Sequence, residues 1–72
     1  MTNTKLLEEK IKAAGVKKAH LAKLCGMTPT TFGKYVAGKR EFTSSHIAIL
    51  CEALNITKLT EKEAIFFAKS GA

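Results

Sequence analysis

Apolar residues recur along this chain at the three- and four-residue spacing of helices, and no segment alternates as a strand does. Leu7, Ile11 and Ala14 share one face of a first predicted helix over residues 4–14. Gly15 follows at the position where helices commonly end. The N-terminal segment is therefore predicted to be an amphipathic helix that buries one side.

Two short helices are predicted next, separated by a glycine turn. The first covers residues 17–25, with Leu21 and Leu24 facing inward, and Gly26 closes it in a left-handed conformation. The following helix covers residues 29–37, because a threonine followed by a proline is a common helix start. The predicted inward stripe of this helix is Phe32, Tyr35 and Val36.

Two more helices are predicted after a basic loop, over residues 44–54 and 61–70. The apolar stripe of the former is Ile47, Leu50, Cys51 and Leu54. Predicted side-chain N-caps are Thr2 or Thr4, Thr28, Thr43 or Ser44, and Thr60 in a capping box with Glu63. No linker, repeat or low-complexity segment interrupts the pattern, so the predicted fold is all-α, a compact bundle of five helices forming a single domain over residues 1–72.

The charge of the chain is concentrated in its first half. Residues 10–40 hold eight basic residues and no acidic one, whereas the rest of the chain holds four basic and six acidic residues. The net charge of +6 therefore comes from a strongly basic segment, and the rest of the chain is slightly acidic. Such a segment attracts polyanions, so nucleic acid and anionic membrane are the partner classes to consider, beside a solvated lysine-rich surface with no partner. A membrane partner is not expected, because the lysines accompany apolar stripes of the kind that face a protein interior.

The residues that could carry catalysis or bind a metal do not form a recognisable site. His20 and Cys25, like His46 and Cys51, are five residues apart. Five helical positions rotate by about 140°, which places the two side chains of each pair on different faces. No zinc site, other cofactor, small-molecule substrate or enzymatic activity is predicted, and the cysteines are interpreted as buried, reduced thiols. No apolar run is long enough to span a membrane, so a cytoplasmic protein is expected.

One continuous pattern covers the two short helices and the helix that follows them. It is Val16-Lys17-Lys18-x2-Leu21-Ala22-x3-Gly26-Met27-Thr28-x-Thr30-Thr31-Phe32-x2-Tyr35-x2-Gly38-Lys39-Arg40, then Ile47-x2-Leu50-x3-Leu54-x-Ile56. This pattern resembles the lambda-repressor-like helix-turn-helix family, which includes phage repressors and Cro proteins. The resemblance covers about residues 5–58 and implies a DNA-binding domain with its helix-turn-helix at the second and third helices, acting on the nucleoid of a bacterial host cell.

The family resemblance implies roles for individual residues. The third helix would enter the major groove of double-stranded DNA, while flanking cations would contact phosphates. The implied recognition residues, facing DNA or a partner, are Thr28, Pro29, Thr30, Thr31, Gly33 and Lys34. The implied phosphate contacts are Lys17, Lys18, Lys39 and Arg40.

The recognition helix departs from the family at Pro29, where members often carry glutamine or arginine. Proline cannot donate a hydrogen bond to a base, and among the remaining recognition residues only Lys34 has a long donor. Two functions therefore stay open. One is a Cro-like transcriptional regulator of a phage or prophage switch that binds operator DNA as a homodimer. The other is an antirepressor, similar to phage modulators of repression, that forms a heterocomplex with a phage repressor through the same face.

The C-terminal apolar run also has two interpretations. Residues 64–68 are apolar throughout, and they cannot all face one core on a helix. Either Ile65 with Phe66 or Phe67 seals the bundle, or Phe66 and Phe67 form a self-association patch that would set the half-site spacing.

Overall fold

The computed structural model describes residues 1–68, which contain five helices and no strand. These helices are α1 Thr4–Ala14, α2 Lys18–Leu24, α3 Pro29–Val36, α4 Ser44–Ala53 and α5 Leu59–Phe66. The predicted all-α class is confirmed, and α1 has the predicted bounds. The fifth helix begins two residues earlier than predicted. It ends at Phe66, so residues 67 and 68, which were predicted to be helical, lie outside it. Ser70, its predicted end, lies outside the described residues.

The N-cap of α1 is Asn3, and the prediction of Thr2 or Thr4 is wrong. The Asn3 side-chain oxygen accepts a hydrogen bond from the Leu6 N–H at 3.1 Å. The Asn3 backbone N–H donates to the Ile65 carbonyl oxygen at 2.6 Å, which ties the start of α1 to α5. This contact between elements fixes which residue stands at the cap, and Thr4 becomes the first helical residue.

Of the three other predicted caps, two are confirmed and one is wrong. Thr28 caps α3 and Thr43 caps α4. The cap of α4 is a capping box whose second member is His46, because its Nδ1 accepts from the Thr43 N–H at 3.3 Å. Thr60 does not cap α5, since the Lys62 N–H already donates to the Lys58 carbonyl oxygen and places Thr60 inside the first turn.

Thirteen apolar residues from all five helices and the loops form one core. They are Leu7, Ile11, Leu21, Ala22, Phe32, Val36, Phe42, Ile47, Leu50, Leu54, Ile56, Ile65 and Phe66. The predicted inward positions of Ala14 and Leu24 are wrong, because Ala14 is exposed and Leu24 is 44% exposed. On α2 the buried arc runs between Leu21 and Ala22, and Leu24 projects about 110° from the centre of that arc.

Candidate nucleic-acid interface

The α2–α3 pair is joined by a tight turn over residues 25–28. Cys25 is the C-cap of α2, and Gly26 follows with φ of 71°, the left-handed conformation predicted for it. The Met27 N–H donates to the Ala22 carbonyl oxygen at 2.8 Å, and the Met27 side chain packs half-buried against the core. The turn therefore holds α3 rigidly against α2, in the arrangement of a helix-turn-helix.

The first turn of α3 is organised by its threonines. The Thr28 Oγ1 accepts from the Thr31 N–H at 3.2 Å, and its hydroxyl donates to the Thr31 Oγ1 at 3.0 Å. Thr31 is half-buried. Thr31, one of the predicted recognition residues, therefore already makes two hydrogen bonds at the start of its own helix, while its hydroxyl proton remains available for donation.

The outward face of α3 and its C-cap is small and weakly polar. Its exposed residues are Pro29, Thr30, Gly33, Lys34 and Ala37. Phe32 and Val36 lie on the opposite face, buried in the core, and Tyr35 is half-buried. The structure therefore brings four of the predicted recognition residues onto one open face, with Lys34 as the only long hydrogen-bond donor among them.

Gly33 is not required by the packing of the domain. It lies inside α3 with ordinary helical backbone geometry, and a Cβ built on it meets no atom within 4 Å. A glycine inside a helix lowers helix stability by about 0.5–1 kcal/mol relative to alanine. Its presence on the exposed face leaves the backbone of α3 open to close approach from outside.

The four predicted phosphate contacts differ in their surroundings. Lys17, Lys39 and Arg40 are exposed, and none of them has an ion-pair partner within residues 1–68. The Lys18 ammonium instead pairs with the Glu8 carboxylate on α1. Sequence reasoning missed this pair because it joins two helices. A phosphate contact by Lys18 therefore competes with this carboxylate.

The basic loop between α3 and α4 is anchored at its end by an aromatic cluster. Phe42 is buried, with its ring centroid 5.3 Å from Tyr35, 6.0 Å from Phe32 and 5.9 Å from Phe66. Phe42 was not assigned a role from the sequence because it lies outside every predicted helix. Its burial holds the loop that carries the exposed cations Lys39 and Arg40 close to the end of α3.

Further contacts fix the start of the same loop. Gly38 has φ of 83°, and a Cβ there would lie 3.1 Å from the Thr4 Cγ2 atom. The terminal amino group of Met1 lies 3.9 Å from a Glu41 carboxylate oxygen. The N-terminal segment therefore packs against the basic loop, and glycine at position 38 permits both the turn and the close contact.

The cysteines and histidines form no reactive cluster in the described part of the chain. No group of three or more histidine, cysteine, aspartate or glutamate residues within residues 1–68 could hold a metal ion. Burial raises the pKa of the Cys25 thiol and of the Cys51 thiol above the ordinary value, and both thiols are only half-buried. His46 serves the α4 capping box, and His20 is exposed.

The C-terminal phenylalanines have different environments. Phe66 is 2% exposed and contacts Phe42 edge-on, so the prediction that it contributes to a self-association patch is wrong. Phe67, the C-cap of α5, is 53% exposed. Of these two phenylalanines, Phe67 is the one that another molecule could contact.

A helix-turn-helix family model matches residues 7–61, which include α2, the turn, α3 and α4. The chain belongs to this helix-turn-helix family. Membership confirms the resemblance to lambda-repressor-like domains and indicates a DNA-binding regulator. No curated protein and no solved structure gives a significant match to the chain. Within residues 1–68, no helix has the length and apolar character needed to cross a membrane.

Proposed function

We propose that this helix-turn-helix protein is a transcriptional regulator of a phage or prophage genetic switch, and that it binds paired operator half-sites as a dimer with α3 in the major groove. The observation that carries the proposal is the location of the exposed cations. Lys17 precedes α2, Lys34 lies on the outer face of α3, and Lys39 and Arg40 follow α3. Basic side chains thus surround α3, whose outer face is exposed.

These cations supply affinity that does not depend on sequence. Each phosphate contact releases counterions, so binding weakens steeply as salt rises. Sequence preference has to come from the outer face of α3, where Thr30 offers a hydroxyl, Lys34 an ammonium, and Pro29 an apolar contact to a thymine methyl. We therefore expect a modest preference for particular bases, added to strong phosphate binding that does not depend on sequence.

A second candidate function is favoured by the small size of that same face. Pro29, Gly33 and Ala37 recur every four residues on the exposed side of α3, and they let another protein approach the helix backbone closely. An antirepressor that binds a partner repressor through α3 would use this face. It would show little DNA binding alone.

The test is selection from a random duplex DNA pool with the purified protein at about 150 mM salt, where phosphate contacts alone are weakened. A regulator of the proposed kind enriches a motif, and a two-fold symmetric motif reveals dimeric binding. Thr30→Ala is expected to change the enriched motif. Lys39→Ala is expected to weaken binding to all sequences and to reduce the slope of log affinity against log salt by about one.

Lys5→Ala is the matched control, because Lys5 is an exposed lysine on α1 outside the basic region. Its removal changes the net charge equally but should alter affinity much less than Lys39→Ala. An unenriched pool from a folded protein rejects DNA reading by the protein alone. The antirepressor function then predicts that enrichment appears only when a partner repressor is added.

A further inference from the structure

The outward face of α3 carries few of the groups that proteins use to read bases by hydrogen bonding. Amide, carboxylate and guanidinium side chains are all absent from α3 and from its C-cap, Ala37. Lys34 is the one charged residue of this face, and its ammonium group suits guanine best, because O6 and N7 of guanine both accept hydrogen bonds. Hydrogen bonding to the pyrimidines is therefore left mainly to hydroxyl groups.

The hydroxyl groups of α3 do little to separate thymine from cytosine. Thr30 is exposed, and its hydroxyl can donate to O4 of thymine or accept from the N4 amino group of cytosine. Thr31 is half-buried, and its Oγ1 already accepts from the Thr28 hydroxyl at 3.0 Å. A preference between the two pyrimidines therefore has to come from another kind of contact.

The apolar part of the face can supply that contact. Pro29 is the first residue of α3, and its exposed ring has no N–H to donate. Gly33 lies one turn further along the same side of the helix, where a Cβ would meet no atom within 4 Å. No side chain at position 33 therefore shields the ring. A ring exposed in this way can contact the methyl group at C5 of thymine, which is the apolar group that base edges present in the major groove.

We propose that α3 reads the methyl group at C5 of a pyrimidine through the Pro29 ring, and that it therefore accepts 5-methylcytosine in place of thymine. These two bases present the methyl group at the same position of the major groove, whereas cytosine and uracil lack it. Binding of the protein to its DNA site then responds to methylation of cytosine at C5. This inference rests on the proposed DNA-binding function and adds the chemical group that is recognised.

The purine opposite the methylated base favours the same conclusion. 5-Methylcytosine pairs with guanine, whereas thymine pairs with adenine, which presents an N6 amino donor beside its N7 acceptor. Where the Lys34 ammonium reaches the purine of the contacted pair, it meets two acceptors in guanine and one in adenine. A methylated cytosine therefore offers α3 both the apolar contact and the better purine.

The experiment compares four duplexes that differ at one base pair of the motif enriched in the random-pool selection. Each thymine of the motif is replaced in turn by uracil, cytosine or 5-methylcytosine, with the matching purine opposite. Fluorescence anisotropy at about 150 mM salt measures the four affinities. Loss of a contacted methyl group is expected to weaken binding about fourfold, both from thymine to uracil and from 5-methylcytosine to cytosine.

Pro29→Ala tests whether the proline ring makes the contact. It removes most of the ring and introduces a residue that favours helix, so both affinity ratios should fall towards one. Leu59→Ala is the matched control, because Leu59 is an exposed apolar residue at the first position of another helix, α5. It should leave both ratios unchanged. Circular dichroism should show equal helicity for the two variants and the wild type.

Three results would overturn the inference and leave the proposed regulator intact, because they concern DNA that the protein has selected. One is an enriched motif that contains no thymine, or in which uracil replaces every thymine without loss of affinity. Another is an order set by hydrogen bonding, with thymine and uracil both bound better than cytosine and 5-methylcytosine. The third is a methyl effect that Pro29→Ala leaves at full size. A folded protein that enriches no motif rejects the proposed function and this inference together.

Discussion

Replacing Gly33 with alanine separates the stability of α3 from its contacts with another molecule. Gly33 is an interior residue of α3, it is exposed, and its backbone is not in the left-handed region. A Cβ at this position meets nothing within 4 Å. The added methyl group therefore meets no steric obstacle inside the domain, and its effect on folding comes from the backbone alone.

The expected gain in the free energy of unfolding follows from these facts. Alanine restricts the unfolded chain more than glycine does, and at a compatible position this stabilises by about 0.4–1 kcal/mol. For a domain of this size, 1 kcal/mol corresponds to roughly 4–8 °C in the melting temperature. Gly33→Ala should therefore raise the melting temperature by about 2–8 °C.

Gly15→Ala is a control with the opposite expected sign. The space around Gly15 is equally open, but its φ of 70° is left-handed, where alanine is strained. It should lower stability by about 1 kcal/mol. Thermal and urea unfolding followed by circular dichroism measure both variants. Destabilisation by Gly33→Ala, or equal effects of the two substitutions, would refute the reasoning.

The same Gly33→Ala variant then reports on contact with DNA or a partner. If another molecule approaches the α3 backbone at Gly33, the stabilised variant binds it more weakly, because the methyl group occupies that space. The measurement is the affinity of Gly33→Ala for the enriched DNA or for the partner repressor. Unchanged affinity would show that nothing approaches the helix closely at this position.

Three further outcomes are expected. Glu8→Gln should bind DNA more tightly at low salt and with a steeper salt dependence, because Lys18 loses its competing carboxylate. Fluorescence-anisotropy titrations measure this affinity, and an unchanged result would exclude a phosphate contact by Lys18. His46→Ala should lower the free energy of unfolding by about 0.5–1.5 kcal/mol in urea, because the Thr43 N–H loses its acceptor, and a neutral result would mean that water replaces it. Burial raises the pKa of Cys25 and Cys51 above 9.0. The contribution of these neutral thiols to the free energy of unfolding is therefore fully present below pH 9.0, and it is lost as pH rises through the folded-state pKa. Urea unfolding should thus show a steeper loss of stability above pH 9.0 for the wild type than for a variant with both cysteines replaced by alanine, and parallel curves would contradict this.

Much of the helix-turn-helix was predictable because its signals are local. Gly26 supplies a left-handed turn, Thr28 caps α3 through a bond to a residue three positions on, and Pro29 begins the helix. Each of these interactions involves neighbours in the chain, so residue type and spacing indicate them without knowledge of the fold. The glycine that ends α1 and the threonine that caps α4 were predictable for the same reason.

The errors arose where packing between elements decided the outcome. Helical spacing places Leu24 near Leu21, but the position of α2 against its neighbours buries Ala22 and leaves Leu24 exposed. Thr60 precedes Glu63 at the spacing of a capping box, yet α5 begins earlier. Local propensities are a fraction of 1 kcal/mol per residue, and burial of an apolar side chain outweighs them.

For this protein, the amino-acid sequence by itself determined the helix order, the turn, the exposed face of α3 and the basic segment, since periodicity, turn residues and charge are properties of neighbouring positions. Only the tertiary structure showed that Lys18 pairs with Glu8, that Phe42 anchors the basic loop, and that Phe66 is buried. It also revealed a shallow groove between α1 and α5. These features join residues far apart in the chain, and their contacts exist only once the helices have packed.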